Sequence, residues 1–200
     1  MHRIYLDWNA TALINGGDMA PPGPDIAAAQ KQFYEQELPE VLSPLETAGV
    51  AYYGMFGNED LALNWPRWKA LVDSSPLVFD LTERWHALGE GLWLRGCGYV
   101  PDFPYRIKDW ALRDHTGSPP LSQREAPIRS GEHGIEPIAD LDRYFNGRPT
   151  LDQQLATSLR DMPKEDQAIA VIHAPPKETG LGVLPNEGDA AVLMHRQHDH

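Results

Sequence analysis

The sequence predicts a single α/β domain, and three observations lead there. Short apolar runs alternate with stretches whose apolar residues recur at helical spacing, a βαβ rhythm that builds parallel sheet. Three of those runs end in turn residues that carry ligand-type side chains: Gly16-Gly17-Asp18, Gly57-Asn58-Glu59-Asp60 and His173-Ala174-Pro175-Pro176. The 200 residues, 42% of them hydrophobic, suffice for one sizeable core, and no Gly/Ser- or Pro-rich tract divides them into two apolar halves.

The elements follow in order. Residues 2–8 carry Ile4, Tyr5 and Trp8 at helical spacing and read as the end of a helix that Asn9 stops. Residues 10–15 are then a short buried strand broken by Gly16-Gly17. After the rigid loop Pro21-Pro22-Gly23-Pro24, Asp25 caps a helix over 26–38, and a second helical piece, 39–48, stops at Gly49. Residues 50–56 form the next strand, and 64–72 a helix with Pro66 in its first turn, where the missing N–H costs nothing. Strands are expected at 77–81 and 91–95, the latter running into Gly96-Cys97-Gly98.

Residues 99–105 are too proline-broken for regular structure and read as a loop. The stretch 108–136 is polar, turn-rich and poor in aliphatic residues, so it is expected to be an exposed, mobile excursion. Leu151, Leu155 and Leu159 mark a helix over 151–162, residues 168–172 a buried strand that delivers His173, and 177–200 a loosely ordered tail.

Composition removes several classes of function. A formal charge of −12 leaves no basic field for a nucleic-acid backbone or an anionic membrane. Trp65, Trp68, Trp85, Trp93 and Trp110 have no interleaved basic residues and read as packing, not base stacking. Arg106, Lys108 and Arg113 read as a solvated face, and His86, His115 and His133 receive no role. The lone Cys97 has no intrachain partner and is read as a buried thiol, which points to a reducing, cytoplasmic setting. No apolar run is long enough to span a bilayer, and the N-terminus does not resemble a signal peptide. Ser130 and His133 lack a Gly-x-Ser-x-Gly elbow, and neither a dinucleotide fingerprint nor a P-loop is present.

In open α/β sheets the functional crevice lies beyond the carboxyl ends of the strands. Asp18, Asn58 and His173 all stand there, although 40 and 115 residues separate them. A carboxylate, an amide oxygen and an imidazole form a mixed set of donors that suits Mn²⁺, Fe²⁺ or Zn²⁺ better than Ca²⁺. The chemistry expected of such a centre is hydrolysis by a metal-bound hydroxide with phosphoryl oxygens polarised by the same ion.

Taken in order, these motifs resemble those of the calcineurin-like metallophosphoesterase family. Gly16-Gly17-Asp18 matches its Gly-Asp motif, GNED at 57–60 its Gly-Asn-His-Asp motif, and VIHAPP at 171–176 the histidine motif after a later strand. The run RGCGYVPDFPYRIKDWALRD, 95–114, is similar to a loop of a bacterial and phage branch of that family. The resemblance covers about residues 10–176. It implies a four-layer αββα sandwich and a two-metal site that attacks a small phosphomonoester or phosphodiester in line. Asp18 would be the bridging carboxylate, and Asn58 and His173 would bind the second metal. Glu59 and Asp60 would be the catalytic pair of the turn, with Asp60 supporting the motif from behind.

The sequence also departs from that pattern. Glu59 stands where many members carry a histidine that meets the phosphate; it could serve there only with a raised pKa, and as an anion it would repel phosphate. A first strand ending in Asp-x-His and a final Gly-His-x-His are not found, so the chain reads as incomplete at both ends, with at most one weakly held ion. His195, His198 and His200, with Asp199, could stand in for the final motif but read better as a frayed polar terminus. The alternative function is a catalytically silent remnant that binds a protein or small anion through the same crevice. Without a first strand, the 10–15 strand would expose an edge, so self-association or poor solubility is expected.

Overall fold

The structure is a computed structural model that describes residues 9–119, 121–163 and 167–175. It is a mixed α/β arrangement of small sheets and helices. The expected helix at 2–8 and the tail at 177–200, with its three histidines, lie outside the described residues.

Strand β1 (Ala12–Ile14), β2 (Ala51–Gly54) and β3 (Val78–Asp80) form a parallel sheet in the order β1-β2-β3, with Leu13 opposite Tyr52 and Tyr53 opposite Phe79. The β1 to β2 crossover is one long helical segment: α1 (Ile26–Gln32), a π-helical turn (Phe33–Glu37) and α2 (Leu38–Thr47). Asp25 caps it as expected, its side chain accepting from Ala28 N–H at 3.1 Å. In the π turn the Leu38 N–H reaches back to the Phe33 carbonyl. Pro39 follows directly and has no N–H to offer Glu35, so the extra residue is absorbed where the helical ladder is already interrupted. The buried face then reads Gln30, Tyr34, Leu38, Leu42 and Leu45.

A short 3₁₀ turn (Ala62–Asn64) leads into α3 (Trp65–Ser74), which carries the chain from β2 to β3. The second sheet has the order β10-β5-β4, built from β4 (His86–Gly89), β5 (Leu92–Cys97) and β10 (Gln167–Ile172). β5 runs parallel to β10 and antiparallel to β4. Gly96 N–H donates to the Leu81 carbonyl at 2.7 Å, and Leu81 N–H to the Gly54 carbonyl at 2.9 Å, which ties the sheets together at their carboxyl ends.

Successive residues of β2 and its extension point to opposite sides. Tyr52 and Phe56 pack against the helices with Trp68, Leu38 and Leu42, while Tyr53 and Met55 pack with Leu81, which follows β3, and with Leu94 and Val171 from the second sheet. Both inner faces are thus dry, and β2 is buried on both sides. Strand β5 continues past its expected stop at Gly96. The reason is close packing: a β-carbon there would lie 2.6 Å from Met55 Sδ and 2.7 Å from Leu81 Cβ, so the glycine lets the sheets approach rather than ending the strand. β4, which the sequence pattern does not mark, pairs with β5 as a hairpin whose turn holds Gly91 at φ +67°.

The segment 108–136 corrects the expectation of an exposed excursion. Lys108 is fully buried, its ammonium 2.8 Å from the Asp102 carboxylate, and Ala111, Leu112 and Ile128 are buried with it. Two short sheets form here: β6 (Val100–Pro101) with β7 (Ala111–Leu112), and the hairpin of β8 (Ile128–Gly131) with β9 (Gly134–Pro137). A low aliphatic count hid this burial, because an ion pair and a few apolar side chains supply the interior. Residues 115–119 and 121–126 do remain largely at the surface.

Two more helices precede β10: α4 (Leu141–Phe145), and α5 (Leu151–Ser158) with a full capping box from Thr150 and Gln153. α5 ends sooner than the leucine stripe suggests. No described helix is long and apolar enough to cross a membrane. Among the described residues β1 and β10 each pair on one side only, and Ile14, Ile169 and Ile172 are exposed there.

Candidate functional site

Three turns, at the carboxyl ends of β1, β2 and β10, meet at one place. Asp18 sits at φ +53° directly after Gly17 at φ +116°, a tight left-handed pair that turns the aspartate back over the end of the sheet. The turn after β2 approaches so closely that a β-carbon on Gly57 would lie 2.6 Å from Asp18 N and 2.7 Å from His173 Cε1. His173 is held in line with β5 through its N–H, which donates to the Cys97 carbonyl at 3.0 Å.

The side chains then converge. His173 Nε2 lies 3.0 Å from Asn58 Oδ1 and 3.2 Å from Asp18 Oδ2, and His173 Nδ1 lies 2.9 Å from the Gly16 carbonyl. All three neighbours are acceptors. Nδ1 therefore carries a hydrogen and donates it to Gly16, while Nε2 faces two oxygens, a contact that only a proton or a cation can reconcile. Burial of the ring disfavours the imidazolium, but the Asp18 carboxylate and the Gly16 carbonyl outweigh it and raise the His173 pKa above its ordinary value.

The Asn58 amide has a fixed orientation. Its Nδ2 donates to Glu59 Oε1 at 2.8 Å, so its oxygen must face His173. Glu59 N–H in turn donates to Asp18 Oδ1 at 2.8 Å. Burial and the charge of Asp18 push the Glu59 carboxyl above its ordinary pKa, against the lowering effect of the Asn58 N–H. This is the direction a glutamate would need in order to hold a proton near a phosphoester.

Asp60 has a different place from that of a reacting group. It is fully buried, and its carboxylate accepts from Met19 N–H at 3.1 Å, Ala20 N–H at 2.9 Å, Gly57 N–H at 2.8 Å and the Tyr34 hydroxyl at 3.2 Å. Burial raises its pKa while the three backbone donors pull it down. Both oxygens are committed, so Asp60 fastens the 57–60 turn to the residues after Asp18.

Two residues to which the sequence gives no part in the site hold the same turn. Gln30 is fully buried; its amide donates to the Glu59 carbonyl at 2.6 Å and accepts from Leu61 N–H at 2.8 Å. Trp110 Nε1 donates to the Asp60 carbonyl at 2.7 Å. The signal for Gln30 was present: an amide on the buried Tyr34-Leu38-Leu42 face of an amphipathic helix needs a polar partner inside.

The spacing of the donors tests whether a cation fits. Two donors each about 2.1 Å from a metal and at right angles lie about 3.0 Å apart, and tetrahedral angles open this to about 3.4 Å. The two distances from His173 Nε2 fall in that interval. Solvent reaches the Asp18 side chain, 36% exposed, more freely than His173 at 16%, so a hydrated ion has a route in. Among the described residues no group of three or more His, Cys, Asp and Glu side chains gathers as a metal site; the third donor here is an amide. No family model, curated protein or solved structure matches this chain.

Proposed function

We propose that the chain is a metal-dependent phosphoesterase domain of the calcineurin-like metallophosphoesterase type, with the αββα arrangement that the resemblance implies. The observation that carries this reading is the meeting of Asp18 Oδ2 and Asn58 Oδ1 around His173 Nε2 at 3.2 and 3.0 Å, from three strand ends far apart in sequence. Asp18, Asn58 and His173 would hold one divalent ion, Mn²⁺, Fe²⁺ or Zn²⁺, displacing the proton that otherwise bridges them. Such an ion supplies Lewis-acid polarisation of a phosphoryl oxygen and an activated water.

The chain's own residues do the remaining work. Gly16 fixes the imidazole tautomer through Nδ1, Glu59 fixes the Asn58 oxygen, and Asp60 with Gln30 holds the turn that carries both. Glu59, with its raised pKa, is the group at the site suited to give a proton to a departing alkoxide.

A silent binding module is favoured by one observation. Glu59 and Asp18 put two carboxyls at the mouth of the site, a poor field for a phosphate unless a cation lies between. Hydrolysis of an aryl phosphate in the presence of Mn²⁺ or Zn²⁺ separates the two. The enzyme reading expects turnover that Asp18→Ala abolishes, and metal binding without turnover would leave the binding module.

A further inference from the structure

We propose that a cleft between the β8–β9 hairpin and α4, separate from the Asp18–Asn58–His173 site, binds the phosphate group of a small organic ligand through Arg148 and Arg143. The cleft has a volume of about 640 Å³ and is lined by Arg129, Arg143 and Arg148, together with Tyr144 and the 137–140 turn.

Arg148 is prepared for a ligand. Its Nη2 donates to the Asp109 carbonyl at 3.0 Å, and its guanidinium lies over the Tyr144 ring, 4.6 Å from the centroid. These contacts fix the fork in place, while Nη1 is buried with no hydrogen-bond partner among the described residues. Arg148 also lines the cleft, so a ligand oxygen that enters meets a cation already held in position.

The local charge agrees. Arg129 is paired with Glu136 at 2.8 Å, whereas Arg143 makes no ion pair among the described residues. The lining carboxylate, Asp140, is used as the cap of α4, accepting from Arg143 N–H at 3.0 Å. In a chain of charge −12, the cleft retains an excess of guanidinium over carboxylate. Two guanidiniums suit a phosphate, which offers three oxygens, better than a carboxylate, which a single fork satisfies. The remaining volume, bounded by Pro137, Ile138 and Ala139, accommodates the organic part.

The test uses the full chain stripped of metal with EDTA and titrated with inorganic phosphate, with acetate and chloride at equal ionic strength as controls, followed by calorimetry and thermal melting. Saturable phosphate binding is expected that weakens at least about tenfold in Arg148→Gln and several-fold in Arg143→Ala, and is unchanged in Asp18→Ala. Arg143 is exposed, so Arg143→Ala keeps the result readable if Arg148→Gln impairs folding. Phosphate binding no stronger than acetate or chloride would overturn the proposal. So would binding insensitive to both arginine variants, or binding lost in Asp18→Ala, which would move the anion to the metal site.

Discussion

Gly57→Ala probes how closely the site is built. Gly57 has an ordinary φ, so alanine there brings no backbone penalty and the perturbation is steric. The new methyl would lie 2.7 Å from His173 Cε1 and 2.6 Å from Asp18 N, and nearer still to the Asp18 carboxylate. Carbon contacts are comfortable from about 3.5 Å, so the turns must separate by about 0.8 Å. Overpacking of this kind costs about 1–3 kcal/mol, and for a chain of this size each kcal/mol lowers Tm by about 2–4 °C. A shift of that length also exceeds the roughly 0.5 Å tolerance of a preorganised site, so Mn²⁺ or Zn²⁺ affinity should fall about 10–100-fold. Gly89→Ala is the matched control: a β-carbon there meets nothing within 4 Å, and φ is again ordinary. Melting curves and metal titrations of both variants are the assay. A Gly57→Ala protein that melts and binds metal like Gly89→Ala would refute the packing described for the three turns.

Other perturbations test the frame around the site. Asp102→Ala leaves the Lys108 ammonium buried without its counter-charge, held only by the Phe103 carbonyl, and should cost about 3–5 kcal/mol in denaturant unfolding, whereas Asp102→Ala combined with Lys108→Met should recover most of that loss. Gln30→Leu removes partners from the Glu59 carbonyl and Leu61 N–H; thermal melting should show a loss of about 2–4 kcal/mol, and metal binding should weaken with it. His86 is buried with Nε2 2.7 Å from the Asp80 carbonyl, and burial lowers its pKa. The unfolded chain therefore takes up the His86 proton first as pH falls through about 6.5, and stability drops below that value while it is flat above it. The difference in stability between wild type and His86→Gln, followed from pH 8 to 5, should show this loss; a constant difference would contradict it.

Much of this molecule was legible in its sequence because its signals are local. Asp25 before an alanine-rich helix, Gly49 after it, and Pro66 in a first turn each act within one turn of chain, and each stands where expected. The meeting of Asp18 and Asn58 was legible because the ends of neighbouring parallel strands share one edge, whereas His173 joins them from the second sheet, whose carboxyl end is tied to the first. What escaped was burial supported by polar pairs. Lys108 with Asp102, and Gln30 with the 57–61 turn, are interior contacts between residues that count as polar along the chain. The β4–β5 hairpin escaped because its strand is short and a bulge between Ala87 and Gly89 blurs the alternation. Asp60 belongs to the 57–60 motif, but only the geometry shows both of its oxygens turned inward to the backbone.

The cation proposed for Asp18, Asn58 and His173 has a competing set of imidazoles in His195, His198 and His200. The most direct measurement is a Zn²⁺ titration of three proteins: wild type, His173→Ala, and a tail variant with His195, His198 and His200 all replaced by alanine. One ion per chain is expected in the wild type and the tail variant, with binding lost in His173→Ala. Stoichiometric binding that survives His173→Ala and disappears with the tail histidines would contradict the claim.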